Sequence, residues 1–431
     1  MAKPAGAHCN LACEYCYYLE KAKLYPDYSN QMMSDELLER YTHEMIEAQT
    51  MNQVCFQWHG GEPLMRPLSF YRRALELQRR YAHGRQIDNV LQTNGTLLTD
   101  EWCRFFHDNG FLIGISIDGP QEFHDEFRRT RSGKPSWRQV MHGIDLLNKH
   151  QVEWNAMAVV NDFNADYPDD FYQFFKKIGA RYIQFAPVVE RLVDYDRQTA
   201  RLTGQGKSDR SDQTGGSGGS DDSTHDEPFA ARRHLASMMT QDAPLADFSV
   251  TPKQWGDFLC RLFDLWVRHD VGSTYVQIFD ATLANWVGEA PGVCTMAARC
   301  GHSACMEFNG DVYSCDHFVF PEFRLGNIRD HTLTEMLYGE RQRQFGDIKQ
   351  MLPRQCMECE WQFACHGECP KNRFVKTGDG EPMLNYLCAG YKQFFAHVAP
   401  YMDFMKRELQ HQRPPANVMQ HVDKIERARR L

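Results

Sequence analysis

HCNLACEYCYY, residues 8–18, holds three cysteines, Cys9, Cys13 and Cys16, in CxxxCxxC spacing inside one short loop. That spacing is too tight for an ordinary disulfide pattern and one ligand short of a closed metal site. A 4Fe-4S cluster normally takes four thiolates, so three leave one iron with an open position, which is the condition for catalysis rather than for structure alone. The other chemistry this loop admits is a zinc site that borrows a distant fourth ligand.

Outward from this loop to about residue 190, short β-rich runs alternate with segments of helical period, the pattern of βα units on a parallel sheet. Strands are expected at 4–8, 53–58, 88–92, 111–117, 153–160 and 181–187. Ser34 reads as the N-cap of a helix beginning DELLERYTHEMIEA, and Thr99 as the cap of DEWCRFFHDNG, with Gly110 as its stop. The fold expected is α/β, an open (β/α)6 partial TIM barrel, whose chemistry belongs at the carboxyl ends of the strands. There stand WHGGEP (58–63), QTNG (92–95) and SIDG (116–119). Each alone is no more than a turn, but their order on successive strand ends is specific, and the paired glycines of WHGGEP are expected to let the backbone approach a ligand closely.

The 431 residues allow one large domain and a smaller one. A formal net charge of -9 argues against nucleic acid as a partner and for a peptide or small-molecule substrate. MAKPAGAHCN lacks a basic region followed by an apolar one, and no run approaches the ~18 apolar residues of a membrane span, so the chain is expected to be cytoplasmic and free of the membrane. In that reducing compartment, fifteen cysteines read as metal ligands rather than disulfides. Residues 201–228 are rich in Gly, Ser, Asp and Thr, and are expected to form a disordered surface insertion. Structure should resume at 251–270, an amphipathic stretch with Pro252 near its start, read as the sixth barrel helix.

A second cysteine field runs through Cys294, Cys300, Cys315, Cys356, Cys359, Cys365, Cys369 and Cys388. Its centre, CMECEWQFACHGEC, has CxxCx5CxxxC spacing. Eight thiols make two sets of four, and taken alone they suit zinc or iron-sulfur equally; the spacing does not assign them between sets. Cys55, Cys103 and Cys260 lie in apolar patterns and read as buried core thiols. The expected organisation is a barrel over 1–200, the insertion 201–228, a last barrel helix and connection over 229–290, the cysteine-rich domain over 291–395 and a helical tail over 396–431. The tail ends in the basic KIERARRL, either a solvated helix or a partner contact.

CxxxCxxC followed by GGEP resembles the radical S-adenosylmethionine (AdoMet) enzymes, and the second field resembles their SPASM extension. Together with AKPAGAHCNLACEYCYYLEK, PVVERL, NGDVYSCDHFVFPEFRLGNI and LNYLCAGY, these motifs resemble the anaerobic sulfatase-maturating enzymes over nearly all of the chain outside 201–228. That resemblance implies AdoMet and three 4Fe-4S clusters. Cys9, Cys13 and Cys16 would hold the cluster that AdoMet chelates, with Tyr15 near the adenine, Gly60, Gly61 and Glu62 at the amino group and Ser116 as a polar contact. Arg128 would meet the AdoMet carboxylate, the alternative being a solvated surface charge. Cys294, Cys300, Cys315 and Cys369 would hold one auxiliary cluster, and Cys356, Cys359, Cys365 and Cys388 the other.

The implied reaction oxidises a Cys or Ser side chain in a C/S-x-P-x-R motif of a sulfatase to Cα-formylglycine, a 5'-deoxyadenosyl radical taking a hydrogen from Cβ. Asp316 would be the general base, its pKa set by desolvation against nearby charge. The implied partners are a sulfatase polypeptide and a low-potential donor such as flavodoxin or ferredoxin. His59 stands where many relatives have Gln, either as a substrate contact that titrates near neutrality or as a tolerated swap. Two other readings are a SPASM enzyme that crosslinks a different ribosomal peptide, disfavoured by the lack of an evident leader-capturing domain, and a zinc-stabilised binding protein.

Overall fold

Six parallel strands pair in sequential order: β1 (Gln53–Trp58), β2 (Gln86–Thr93), β3 (Leu112–Ser116), β4 (Trp154–Val160), β5 (Tyr182–Pro187) and β6 (Tyr275–Val276). They belong to a computed structural model that describes residues 1–26, 31–191, 244–301 and 303–430. The expected insertion at 201–228 lies outside the described residues. Alternate side chains point to opposite faces of a strand, and one set, including Val54, Phe56, Leu91, Ile113, Ile115, Ala156, Ala158, Ile183 and Phe185, is buried. The outer helices cover that face, and the other set, with Gln92, Ser116, Met157 and Gln184, lines the inside of the open barrel.

The expected helix caps form. Ser34 accepts from the Leu37 amide at 3.2 Å ahead of helix Asp35–Glu47, and Thr99 accepts from Trp102 at 3.3 Å ahead of helix Asp100–Asp108. Thr251 and Gln254 make a reciprocal capping box on helix Pro252–His269. That helix connects β5 to β6, so it is followed by a further barrel helix, Gln277–Val287.

The six strands are not the six expected. Residues 4–8 make no strand: Pro4 has no amide to donate, and Gly6 takes φ +52° inside consecutive turns closed by Gly6 N to Lys3 O and His8 N to Ala5 O. The bridging residue at this edge of the sheet lies before the expected strand, at Ala2. It pairs in parallel with Trp58 on one side and Met306 on the other. The missing strand is replaced at the far edge by β6, only two residues long.

Met306 belongs to a small antiparallel sheet, β7 (Cys305–Met306), β8 (Asp311–Tyr313) and β9 (Arg324–Asn327), so Ala2 joins the barrel to the cysteine-rich part of the chain. A second join is the helix Cys388–Gln410, which runs across the expected 395/396 boundary and packs along Pro252–His269. Two glycines allow the close crossing: a Cβ on Gly256 would lie 2.9 Å from the Gly390 Cα, and one on Gly390 would strike the Pro252 carbonyl. Among the described residues no helix is long and apolar enough to cross a membrane.

Candidate active site

The cysteine loop is seated by the motifs at the strand ends. The Glu62 amide donates to His8 O at 2.6 Å, and Asn94 Nδ2 donates to Asn10 Oδ1 at 2.9 Å and to Cys9 Sγ at 3.6 Å. On the other side Ala12 N donates to Arg129 O at 2.8 Å, Glu14 N to Phe127 O at 3.0 Å, and Arg131 Nε to Cys9 O at 2.7 Å. The glycines of WHGGEP serve this docking within the chain. A Cβ on Gly61 would collide with the His8 carbonyl and one on Gly60 would lie 2.6 Å from the Lys3 side chain, both at positive φ. The Glu62 carboxylate accepts from Leu64 N, Thr93 Oγ1 and Asn94 N at 2.7–2.9 Å. Burial pushes its pKa up to about 7 against those three bonds.

Tyr15 and Arg128 meet on Asp118, the acid of the SIDG motif. Arg128 donates through Nε at 2.8 Å and Nη2 at 3.2 Å to the two Asp118 oxygens, Tyr15 donates its hydroxyl to the same carboxylate, and Val159 N donates at 2.8 Å. All three side chains are buried, so Arg128 is not a solvated surface charge. Ser116, half-buried on the inner face of the barrel, accepts from Gln92 Nε2 at 2.9 Å.

Asp316 is buried next to Cys315 at the start of a short 3-10 turn, Asp316–Phe318. It forms an ion pair with Lys3, which is fully buried, and accepts the hydroxyl proton of Tyr17. Burial pushes the Asp316 carboxyl up, but the Lys3 ammonium and its hydrogen bond, together with His59 and His317, outweigh it and hold the group below the ordinary carboxylate range. Asp316 is therefore ionised at neutral pH. Lys3 is itself fixed 3.2 Å above the Tyr18 ring, and Tyr18 donates to the buried Glu307. His59, half-buried at the end of β1, and His317, whose ring lies tilted with its centre 4.9 Å from that of Tyr17, both have their pKa pushed down to about 4, chiefly by burial, and are neutral at pH 7. Tyr17 adjoins Cys16 and Asp316 adjoins Cys315, so this one hydrogen bond ties the N-terminal cysteine loop to the second cysteine field.

The cysteines fall into three groups. Cys9, Cys13 and Cys16 lie within electrostatic reach of one another. Cys294, Cys300, Cys315 and Cys369 form a second such group. Cys356, Cys359, Cys365 and Cys388 line one cavity together with Trp361 and Tyr391. Burial pushes the Cys9 thiol up to about 11 and the Cys365 thiol up to about 12, so a bound metal is what would draw these two into the thiolate form. Among the described residues no three His, Cys, Asp or Glu side chains converge tightly enough for a single metal ion; the thiols are grouped at wider spacing. All-sulfur donor sets of this kind fit iron-sulfur clusters.

Residues 4–175 match the Radical SAM superfamily model, and residues 298–360 match SPASM, an iron-sulfur cluster-binding domain. A curated relative, the serine-type anaerobic sulfatase-maturating enzyme of Bacteroides thetaiotaomicron, is 62% identical over 97% of this chain and 94% of its own. The chain belongs to the anaerobic sulfatase-maturating enzymes. Other members are more distant: the serine-type enzyme of Klebsiella aerogenes is 33% identical over 94% of this chain and 86% of its own, and the cysteine-type enzyme of Clostridium perfringens 30% over 93% and 96%. The solved structure of native anSMEcpe with bound AdoMet and Cp18Cys peptide superposes with a TM-score of 0.76 at 28% identity, covering 94% of this chain and 98% of that one.

As an anaerobic sulfatase-maturating enzyme the chain is a radical AdoMet enzyme with an open α/β barrel and a SPASM domain, which binds AdoMet and iron-sulfur clusters. Sequence reasoning missed four of the residues around the site. Asp118 stood in plain view inside SIDG, where only the serine was singled out, and Tyr17 beside Cys16 had no signal of its own. Lys3 is linked to Asp316 only through the fold. Cys305, fully buried beside Tyr18, Tyr313 and Val319, is a core thiol that the cysteine pattern passed over.

Proposed function

We propose that this enzyme oxidises a serine side chain in a C/S-x-P-x-R type motif of a sulfatase polypeptide to Cα-formylglycine. Serine is favoured over cysteine by the 62% identity to a serine-type relative over nearly the whole chain. The observation that carries the reaction is the ionised, buried Asp316, tied to both cysteine fields through Tyr17 and its neighbour Cys315.

In this reading Cys9, Cys13 and Cys16 hold the AdoMet cluster, and Tyr15, Gly60, Gly61, Glu62, Ser116 and Arg128 form the AdoMet pocket. When bound, cluster and AdoMet supply radical abstraction of a hydrogen atom from the substrate Cβ. Asp316 accepts the hydroxyl proton as the remaining electron leaves, so the side chain loses two hydrogens in all and a serine becomes the aldehyde directly. Lys3 keeps Asp316 ionised and oriented, and His59 faces the substrate from the end of β1. Cys294, Cys300, Cys315 and Cys369 hold a second 4Fe-4S cluster, and Cys356, Cys359, Cys365 and Cys388 a third; closed thiolate sets suit electron transfer. The barrel runs through residue 191 and again over 244–290, and the SPASM domain begins at 291 and leads without a boundary at 395/396 into the helix Cys388–Gln410. The reductant is a low-potential flavodoxin or ferredoxin, and the reaction belongs in the cytoplasm.

The test is anaerobic incubation of the reconstituted enzyme with AdoMet, dithionite and paired SxPxR and CxPxR peptides, followed by mass spectrometry. A serine peptide lighter by two hydrogens and reactive to a hydrazide supports the reading. AdoMet cleavage that leaves both peptides unchanged would move the enzyme to another substrate.

A further inference from the structure

Between the two auxiliary groups of cysteines lies a fully buried cation that the reaction above does not use. Arg373 is 0% exposed, and its guanidinium donates to four main-chain carbonyls: Nε to Gly367 at 2.8 Å, Nη1 to Lys349 at 2.8 Å, and Nη2 to His366 and Glu368 at 2.9 Å each. Three of these acceptors are the loop between Cys365, of one group, and Cys369, of the other. The loop is bent for the purpose. His366, Gly367 and Glu368 are consecutive left-handed residues at φ +48°, +70° and +51°, a conformation that side chains other than glycine adopt at a cost. A Cβ on Gly367 would strike the Leu352 side chain and lie 2.7 Å from Arg373 Nη2, so glycine there makes room for both the leucine and the guanidinium.

The charge is not cancelled by an ion pair among the described residues. Glu368 offers Arg373 its carbonyl, while its carboxylate is held by Asn385 at 2.7 Å and Asn372 at 3.3 Å. The guanidinium is within electrostatic reach of Cys300 and Cys369 on one side and of Cys356 and Cys365 on the other. The other buried cation nearby, Lys349, differs in reach: its Nζ donates to the carbonyls of Cys294 and Thr295, and the thiols it faces, Cys294, Cys300 and Cys369, are all of the first group.

A cluster becomes more negative when it is reduced, so a fixed positive charge in a low-dielectric interior stabilises the reduced form and raises the potential. We infer that Arg373 is a shared electrostatic positioning residue, one buried cation that raises the reduction potential of both auxiliary clusters together while its carbonyl cage fixes the loop between them. The inference rests on the proposed assignment of the eight cysteines to two clusters.

The test compares wild type, Arg373→Gln and Arg373→Lys holoenzymes by redox titration followed by electron paramagnetic resonance, the signal that responds to added AdoMet being set aside. Arg373→Gln is expected to lower both auxiliary potentials, changing the oxidised-to-reduced ratio at fixed potential at least tenfold, about 59 mV for a one-electron couple. Arg373→Lys, which keeps the charge but not the fork, should stay at wild-type values. An unmoved potential at either cluster in Arg373→Gln overturns the inference, as does an equal fall in both variants. Should Arg373→Gln fail to retain its clusters, Arg373→Lys decides: unchanged potentials support the role of charge, and a fall at either cluster overturns it. Wild-type iron and sulfide short of three clusters would sink the cluster assignment and this inference with it; full wild-type content with unmoved potentials would sink only the role of Arg373.

Discussion

Lys3 and Asp316 form a buried ion pair that joins the start of the chain to the SPASM half. The pair is made possible by Ala2, whose bridges to Trp58 and Met306 bring the first residues between the two sheets. On the proposed reaction, replacing the carboxylate by an amide would remove the proton acceptor and leave the cysteines in place. Asp316→Asn is expected to slow peptide oxidation by roughly 10²–10⁴-fold, the usual worth of a general base, while AdoMet cleavage in the presence of peptide continues. Parallel quantitation of 5'-deoxyadenosine and aldehyde checks this; equal loss of both would place Asp316 before the hydrogen abstraction.

Lys3→Met gives the pH test of the same pair. In the wild type the ammonium holds Asp316 below the ordinary carboxylate range, so the base stays ionised as pH falls and adds no acid limb to the rate. Without Lys3 the largest influence opposing burial is gone, and the Asp316 pKa rises. The variant should lose rate as pH falls through the raised value, while the wild type keeps its rate over the same range. A variant whose pH profile parallels wild type would show that Lys3 does not set the charge of Asp316.

Much of the fold was legible because its signals are local. Ser34 and Thr99 announce their helices through the hydroxyl at the cap, 251–270 announces its own through Pro252 and its amphipathic period, and five strands carry apolar alternation that one chain segment displays by itself. The first and last strands failed for opposite reasons. Residues 4–8 look extended, but Pro4 and Gly6 turn them, and Tyr275–Val276 is too short to make a pattern yet pairs with β5 through Tyr182 and Ile183. In the site, the two cysteine fields stand out by their spacing, but neither the metal nor the division into sets does. Lys3 beside Asp316, Asp118 beneath Arg128 and Arg373 between the auxiliary groups are not visible, because contacts across the fold leave no local mark.

Glu62 links the GGEP motif to stability. Its folded pKa is raised to about 7, chiefly by burial, so the folded state binds its proton more tightly than the unfolded state does. The associated stability is fully present below the unfolded value near 4.5 and is lost as pH rises through about 7. At 1.36 kcal/mol per pK unit the effect is at most about 3 kcal/mol. Glu62→Gln should flatten the wild-type loss of thermal stability between those pH values, and unfolding midpoints of both proteins across the range measure it. An unchanged slope would mean that the hydrogen bonds from Thr93, Asn94 and Leu64 keep the carboxylate ionised after all.

Gly61→Ala should separate the N-terminal cluster from the auxiliary ones. The new Cβ strikes the His8 carbonyl, to which the Glu62 amide donates, so the cysteine loop cannot seat on β1. The expected outcome is loss of the iron belonging to one cluster, with AdoMet cleavage abolished and the auxiliary signals retained. Iron and sulfide analysis together with spin quantitation reads this directly, and a variant with full iron and normal AdoMet cleavage would show that the loop can shift without losing its cluster.

Arg128 and Asp118 are the place where binding and folding compete for one residue. The guanidinium is bidentate on a fully buried carboxylate that also carries Tyr15 and the Val159 amide. Arg128→Ala strands Asp118 without its cation, and removal of one partner of a buried pair costs about 3–5 kcal/mol. Arg128→Met with Asp118→Asn removes both charges while keeping an amide oxygen that can accept from Tyr15 and the Val159 amide, and should recover most of that stability. The AdoMet dissociation constant in the recovered double variant then decides what Arg128 does. If Arg128 contacts the AdoMet carboxylate, binding should weaken at least tenfold, about 1.4 kcal/mol, while stability is near normal. Wild-type AdoMet affinity in a stable double variant would assign Arg128 to holding the floor of the pocket under Tyr15 alone.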